Sequence, residues 1–331
     1  MSDSFYHSKV VLVTGGTGFV GTHFVEHLLK LGAKVRVPVH LRPLRIEDPN
    51  LEGISADLCQ EDDALRMCEG IDYLVHCAGA TGGVGVDSAG LMGGVAGNII
   101  PAVVTFQAAW KQGVKRLLLF SSSTGYPALD HPVKEDEFWT GDVYPGYLGY
   151  GWMRRYMECL GQFIDRDSET RVTLVRPTAT YGPHDNFDSN TSHVIPGLIR
   201  RAMASEDPFV VWGSPKVVRD FLYVKDLVHG SLLALEKLPG ADPVNIGYGR
   251  EITIQHLVES VLQAVGYGTD NIIYDESKPT ALPFRLADTS KAKRLLGFEP
   301  TVTLEQGLAE TVAWYKRNVR SQTVSAIGNR L

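Results

Sequence analysis

A glycine-punctuated turn near the start of the chain constrains its fold more than any other feature. Thr14-Gly-Gly-Thr-Gly-Phe-Val-Gly21 follows the apolar run Lys9–Thr14 and opens an amphipathic stretch, Gly18–Leu31. Gly15, Gly18 and Gly21 give the spacing GxxGxxG, with Thr17, Phe19 and Val20 between them. Glycine is required where the backbone turns sharply, where a phosphate approaches amide N–H groups, and where helix meets strand. A helix N-terminus adds free donors and a partial positive charge suited to a pyrophosphate. The glycine motif alone is weak. In a strand–turn–helix context it specifies a dinucleotide site rather than a structural turn.

The rest of the chain repeats that rhythm. Lys34–Val39, Tyr73–Cys77, Arg116–Ser121 and Arg171–Arg176 are apolar runs of strand length. Those from Tyr73 and Arg116 follow helical stretches, and Tyr150–Phe163 is a helix. Alternating strands and helices predict a Rossmann-type α/β fold, a doubly wound parallel sheet covered on both faces. After Pro177 the pattern loosens. His193–Ala204, Ile254–Val265 (N-capped by Thr253) and Leu304–Asn318 read as helices, and Phe209–Trp212 as a short strand. The expected division is a dinucleotide domain of residues 1–181 plus 220–247. A smaller, discontinuous α/β substrate lobe takes residues 182–219 plus 248–319, and residues 320–331 form a loose tail.

An NAD site usually places an acidic residue at the end of the second strand, on the ribose 2′-hydroxyl. Here the residues past Val39 are His40, Arg42 and Arg45, with no carboxylate before Glu47. Cations there suit a 2′-phosphate, so NADP(H) is favoured over NAD(H), against the alternative of a solvated basic loop. Asp57 and Leu58 follow a short third strand, where Asp57 can accept from the adenine amine or cap the next helix.

The chemistry-bearing strip is Ser121-Ser-Ser-Thr-Gly-Tyr126, ending an apolar run, and Tyr150-Gly-Trp-Met-Arg154, 28 residues beyond Ser122. Positions 150 and 154 share a helix face. A cation there stabilises a phenolate, so that Tyr150 can exchange a proton, while Ser122 hydrogen-bonds the substrate oxygen. Isolated, a Tyr–Arg pair is common surface chemistry. Its place behind a strand-end serine cluster and a dinucleotide turn makes it a site.

At this point the chain resembles the extended short-chain dehydrogenases/reductases over nearly its whole length, and their GDP-L-fucose synthase branch in particular. The resemblance is carried by Tyr181-Gly-Pro-His-Asp-Asn-Phe187, Ser192-His-Val-Ile-Pro196, Val210-Val-Trp-Gly213, Arg219-Asp-Phe-Leu-Tyr223, Val244-Asn-Ile-Gly247 and Ser277-Lys-Pro279, in the family's order. It implies reduction of C4 of a nucleotide-linked keto-sugar, hydride coming from NADPH and a proton from Tyr150. It implies that His193 is an acid/base for epimerisation, against a plain packing or capping role. It extends the cofactor surface to Ala78, Asn98 and Pro177. It places Ser123, Asn186, Val194, Arg201, Trp212, Arg219 and Arg285 at the substrate, where guanidinium groups suit a diphosphate.

Three departures qualify what the resemblance implies. The family's Tyr-x-x-x-Lys carries Arg154 here, which keeps the charge but relays no proton; Lys134, the nearest upstream lysine, does not match in position. The branch's strand-end Cys is Thr124, a poor base, which argues against double C3/C5 epimerisation. The family's Asn is Ala179, and its Pro-Arg-Lys reads Pro283-Phe-Arg285. The leading expectation is an NADPH-dependent C4 reductase of a GDP-sugar or related nucleotide-sugar. The alternatives are a nucleotide-sugar 4-epimerase or dehydratase holding NAD tightly, for which Glu135 and Asp136 could be offered as acids although they sit in a turn with ordinary charge patterning, and a non-catalytic NADP-binding sensor.

A net charge of −6 without a basic block argues against nucleic acid as the partner. Cys59, Cys68, Cys77 and Cys159 form no CxxC or zinc spacing, which suits a reducing cytoplasm and no metal site. No unbroken apolar run reaches the roughly 18 residues of a membrane span, and the start reads as lacking a signal peptide. Tyr156, Met157, Leu160 and Phe163 give an apolar stripe on the helix from Tyr150. With the stretch Gly97–Gln112 it resembles the family's homodimer interface.

Overall fold

Runs such as Val10–Thr14 and Tyr73–His76 are apolar throughout, and the computed structural model buries them almost completely, as strands covered on both faces require. It describes residues 3–80, 88–278 and 282–319. The expected tail from Arg320, and Pro279 of the Ser277-Lys-Pro279 run, lie outside the described residues. In chain order the first half runs α1 (Asp3–Tyr6), β1 (Val10–Thr14), α2 (Phe19–Lys30), β2 (Lys34–Val39), β3 (Leu51–Ser55), α3 (Glu61–Cys68), β4 (Tyr73–His76), α4 (Ser88–Lys111), β5 (Arg116–Phe120), α5 (Leu148–Asp167) and β6 (Arg171–Pro177). The second half adds β7 (Ala179–Tyr181), α6 (Val194–Met203), β8 (Phe209–Trp212), β9 (Val218–Arg219), β10 (Phe221–Tyr223), α7 (Val224–Lys237), β11 (Val244–Ile246), β12 (Ile252–Thr253), α8 (Ile254–Val265), β13 (Ile272–Asp275), α9 (Ser290–Leu296) and α10 (Leu304–Asn318).

Seven parallel strands form the main sheet in the order β11-β6-β5-β4-β1-β2-β3. Strand periodicity splits β1 between two cores. Val11 and Val13 face Phe24, Val25 and Leu28 of α2, with α7 beside them. Leu12 faces the opposite way, toward Met67 of α3, Phe106 of α4 and Met157 of α5. This is the doubly wound sheet the sequence rhythm implies. Strand order reverses between β1 and β4, whose ends meet at Thr14 and His76. In open α/β sheets ligands bind at such a switch point.

A third core lies off the sheet, where Ile195, Leu198 and Ile199 of α6 meet Leu257 and Val261 of α8 and Leu308 of α10. Three two-stranded sheets belong to this half: β10 with β7, β12 with β9, and β13 with β8. Between them β11 returns to the main sheet, Val244 opposite Val175. Thr253 caps α8 by accepting from the His256 N–H at 3.1 Å, and Gly266 ends it in the left-handed region at φ +79°.

Two sequence readings change. The stripe on α5 divides: Met157 is buried in the core, whereas Tyr156 and Phe163 are 55% and 42% exposed. And one helix does match a membrane span by length and composition. Within the 20-residue stretch Met92–Lys111 of α4 an 18-residue window has a mean hydropathy of 1.3. Asn98 and Pro101 interrupt it, so reading for an unbroken apolar run passes it by. Here α4 lies against α3 and α5, with Ala102, Phe106, Ala108 and Ala109 buried.

Candidate active site

The glycine turn is built so that nothing but glycine fits. Gly15 has φ +66°, and a β-carbon there would stand 2.8 Å from the Ala78 backbone N. One on Gly21 would stand 2.1 Å from the Gly15 carbonyl. Gly18 caps α2 with no side-chain bond, leaving the helix N-terminus bare. Thr14 ties the floor together: its Oγ1 accepts from the Ala78 N–H at 3.1 Å and lies 3.0 Å from His76 Nδ1. This clear, donor-rich surface at the switch point fits a dinucleotide pyrophosphate. His40 and Arg42 are exposed on the loop past β2. Asp57 accepts from the Cys59 N–H at 2.9 Å, and Gln60, not Asp57, is the N-cap of α3; Leu58 is buried. Pro177 ends β6.

At the same edge of the sheet α5 presents Tyr150 and Arg154. The Tyr150 hydroxyl donates to the Ala80 carbonyl and accepts from Asn98 Nδ2 at 3.1 Å. Asn98 is 3% exposed, and its Oδ1 accepts from Arg154 Nη2 at 3.2 Å. Arg154 Nη1 donates to the Phe120 carbonyl at 3.0 Å, while its buried Nε has no hydrogen-bond partner among the described residues. The guanidinium carbon lies 5.7 Å from the Tyr150 ring centre. The Arg154 charge belongs to a dry setting. Burial first, and Arg154 second, push the His76 imidazole down to about 3, so it stays neutral.

Ser122 caps the short turn Ser123–Gly125 by accepting from the Thr124 N–H at 3.2 Å. The Thr124 hydroxyl is buried without a partner among the described residues. Gly151 lets α5 approach: a β-carbon there would stand 2.7 Å from the Thr124 carbonyl oxygen.

Across the cleft, Arg219 and Arg285 come together because residues 283–285 pair along β9. The Arg285 N–H donates to the Val218 carbonyl at 3.1 Å. Among the described residues each guanidinium bonds only backbone carbonyls, Arg219 to Val218 and Arg285 to Pro127 and Tyr126. Neither has a carboxylate at ion-pair distance among the described residues. Burial lowers both, Arg285 to about 10. Tyr147, three residues before Tyr150, joins them; burial raises its phenol and the two arginines oppose that rise. Paired cations lacking counter-ions suit a diphosphate.

His193 is the N-cap of α6, and its Nδ1 lies 3.7 Å from the carboxylate of buried Asp185. That carboxylate raises the imidazole above its ordinary value, burial opposing. Val194 is exposed beside it. Arg201 is drawn aside, bonded to Glu206 at 2.5 Å and stacked over Phe209. Asn186 closes a local turn, donating to Thr191 Oγ1 at 2.8 Å. Trp212 is 58% exposed, so it does not fill a core. Glu135, weighed as a dehydratase acid, accepts from the Asn245 N–H at 2.8 Å and secures β11. Asp185 and Tyr147 escaped sequence reading. The only signals were Asp185 within Tyr181–Phe187 and the repeated tyrosines before Tyr150.

A glycine cradle at the switch point of a parallel sheet, beside a part-buried Tyr–Asn–Arg constellation, defines a Rossmann-type dinucleotide-binding protein. A model of the NAD dependent epimerase/dehydratase family matches residues 11–247. The chain is 34% identical to a probable GDP-L-fucose synthase of Oryza sativa subsp. japonica, covering 94% of this chain and 93% of that one. It is 31% identical to a dTDP-4-dehydro-6-deoxy-D-allose reductase of a Streptomyces species, covering 97% and 100%. The crystal structure of UDP-glucose 4-epimerase with UDP-glucose from Thermotoga maritima superposes with a TM-score of 0.83 at 27% identity, covering 94% and 99%. The chain belongs to the NAD dependent epimerase/dehydratase family, the extended short-chain dehydrogenases/reductases, and is an enzyme of the nucleotide-sugar reductase/epimerase kind.

Proposed function

We propose that this enzyme reduces the C4 ketone of a nucleotide-linked 4-keto-6-deoxy sugar, a GDP-sugar first among the candidates, using NADP(H) in preference to NAD(H). The observation that carries the reading is the Tyr150–Asn98–Arg154 constellation. A phenol held by a buried amide and flanked by a buried cation is a general acid for a ketone oxygen. Gly15, Gly18, Gly21, Ala78 and Asn98 are the residues that would hold the dinucleotide. When bound, the dinucleotide supplies the hydride. Tyr150 gives its proton to the C4 oxygen, and Arg154 stabilises the phenolate left behind. Ser122 and Thr124 orient the sugar oxygen. Arg219 and Arg285 take the diphosphate, which also fits nucleotides other than guanosine.

The two named relatives support a sugar-nucleotide reductase, and the Streptomyces enzyme is by its name a reductase of a 4-dehydro-6-deoxy sugar. The cofactor preference is supported by the loop past β2, which offers His40, Arg42 and Arg45 and no carboxylate before Glu47. We further propose a homodimer through α4 and α5, where Ile100, Trp110, Tyr156 and Phe163 are exposed.

The test is oxidation of NADPH in the presence of GDP-4-keto-6-deoxymannose, with products run against GDP-fucose and GDP-rhamnose. An unepimerised GDP-sugar is the expected product. GDP-fucose would show that Thr124 and His193 suffice for double epimerisation. Sugar interconversion without net NADPH loss, on purified protein carrying NAD, would replace this reading with that of a 4-epimerase.

A further inference from the structure

One side chain of the turn between β7 and α6 meets the basic loop past β2, helix α2 and helix α10. His184 holds φ +68°, in the left-handed region that a residue with a β-carbon occupies only under constraint. Arg45, in the basic loop past β2, donates to its Nδ1 at 2.8 Å. The ring lies 4.9 Å from that of Trp314 on α10 and 5.5 Å from that of His23 on α2. His23 in turn donates from Nε2 to the Pro183 carbonyl at 2.9 Å. Burial, helped by His23 and Arg45, holds the His184 imidazole down to about 4, so it is neutral and Nδ1 can accept. The next residue, Asp185, is the one that faces His193.

A guanidinium has five donors, and His184 uses one. The remainder have no partner among the described residues and can grip an anion while that bond keeps the side chain aimed. We propose that His184 is a positioning residue that couples the cofactor's 2′-phosphate, through Arg45, to the placement of Asp185 and His193 at the sugar. A phosphate that fixes Arg45 also fixes the 183–185 turn, so the two ligands bind cooperatively, and the coupling is reciprocal. This rests on the NADP(H) reading of the basic loop.

Glycine and asparagine at position 184 separate the possibilities. His184→Gly keeps the left-handed backbone and removes the ring. His184→Asn tolerates that backbone and supplies an acceptor for Arg45. The experiment is calorimetric binding of GDP-4-keto-6-deoxymannose to protein saturated with NADP+ or with NAD+, neither of which can reduce it. In the unaltered enzyme NADP+ is expected to tighten sugar binding roughly 5-fold or more relative to NAD+. His184→Gly and Arg45→Met should each abolish that difference, non-additively in the double variant, and His184→Asn should restore much of it. A difference that survives His184→Gly, or is absent in the unaltered enzyme although NADP+ binds better than NAD+, overturns the coupling alone. Equal affinity for NADP+ and NAD+ overturns the cofactor reading and the coupling together.

Discussion

Replacing Arg154 by methionine tests the electrostatic core of the site. The guanidinium carbon is 5.7 Å from the Tyr150 ring centre. At an effective dielectric of about 20, unit charges at that separation interact by about 3 kcal/mol. That interaction exists only once Tyr150 has given up its proton, so it acts on the transition state rather than on bound substrate. Its loss is worth roughly 100-fold in kcat. The assay is single-turnover reduction of the keto-sugar, followed by loss of reduced-nicotinamide absorbance, with cofactor affinity measured separately. Arg154 also holds the Phe120 carbonyl and Asn98, so a thermal melt must accompany the kinetics to separate charge from scaffold. Arg154→Lys restores the charge and is expected to recover most of the rate. Arg154→Met turning over within threefold of the unaltered enzyme, with cofactor bound, would refute phenolate stabilisation by this residue.

Four further outcomes are expected. Thr124→Cys should introduce deuterium from solvent at C3 or C5 of the sugar, detectable by mass, where the unaltered enzyme exchanges none. Arg219→Met or Arg285→Met should raise KM for the nucleotide-sugar about 10- to 100-fold with little change in kcat, as loss of charge-assisted bonds to a phosphate requires. Asp185→Asn removes what raises His193, so the His193 titration followed by NMR should move to lower pH; the pairing's stabilisation, present below the unfolded value, is lost as pH rises through the raised one. Glu158→Gln should leave Arg176 buried without its bidentate partner, both side chains being at most 1% exposed, at a cost of about 3–5 kcal/mol and a melting point lower by several degrees.

What the sequence carried depended on how local its physics is. The glycine turn was legible because its demands at Gly21, whose β-carbon would meet Gly15, and in the left-handed φ of Gly15 are local; the clash of a Gly15 β-carbon with Cys77 and Ala78 was not. The doubly wound sheet was legible from the fully apolar runs of β1 and β4. The start of α8 marked by Thr253 was legible because caps are local. Contacts that exist only after folding were not. Arg45 and His184 are 139 residues apart, and nothing local announces their bond. Glu135 read as a candidate acid because its role is to receive Asn245, 110 residues away. The α5 stripe looked continuous because helical spacing gives a face, and only packing divides it into a buried Met157 and exposed Tyr156 and Phe163.

Two of the substitutions that set this chain apart from the fucose-synthase pattern act in one direction. Inverting a sugar carbon needs a base on one face of the ring and an acid on the other, and each must regain its starting protonation state. Thr124 stands where that pattern places a thiol, and its buried hydroxyl has no partner among the described residues to take its proton. Arg154 stands where a lysine could pass one on, and a guanidinium does not deprotonate in the working range. His193, raised by Asp185, is left as a single acid/base with no counterpart across the ring. Reduction at C4 asks less: one proton from Tyr150 and a fixed charge to hold the phenolate, both of which remain. The arrangement therefore supports the proposed C4 reduction over double inversion.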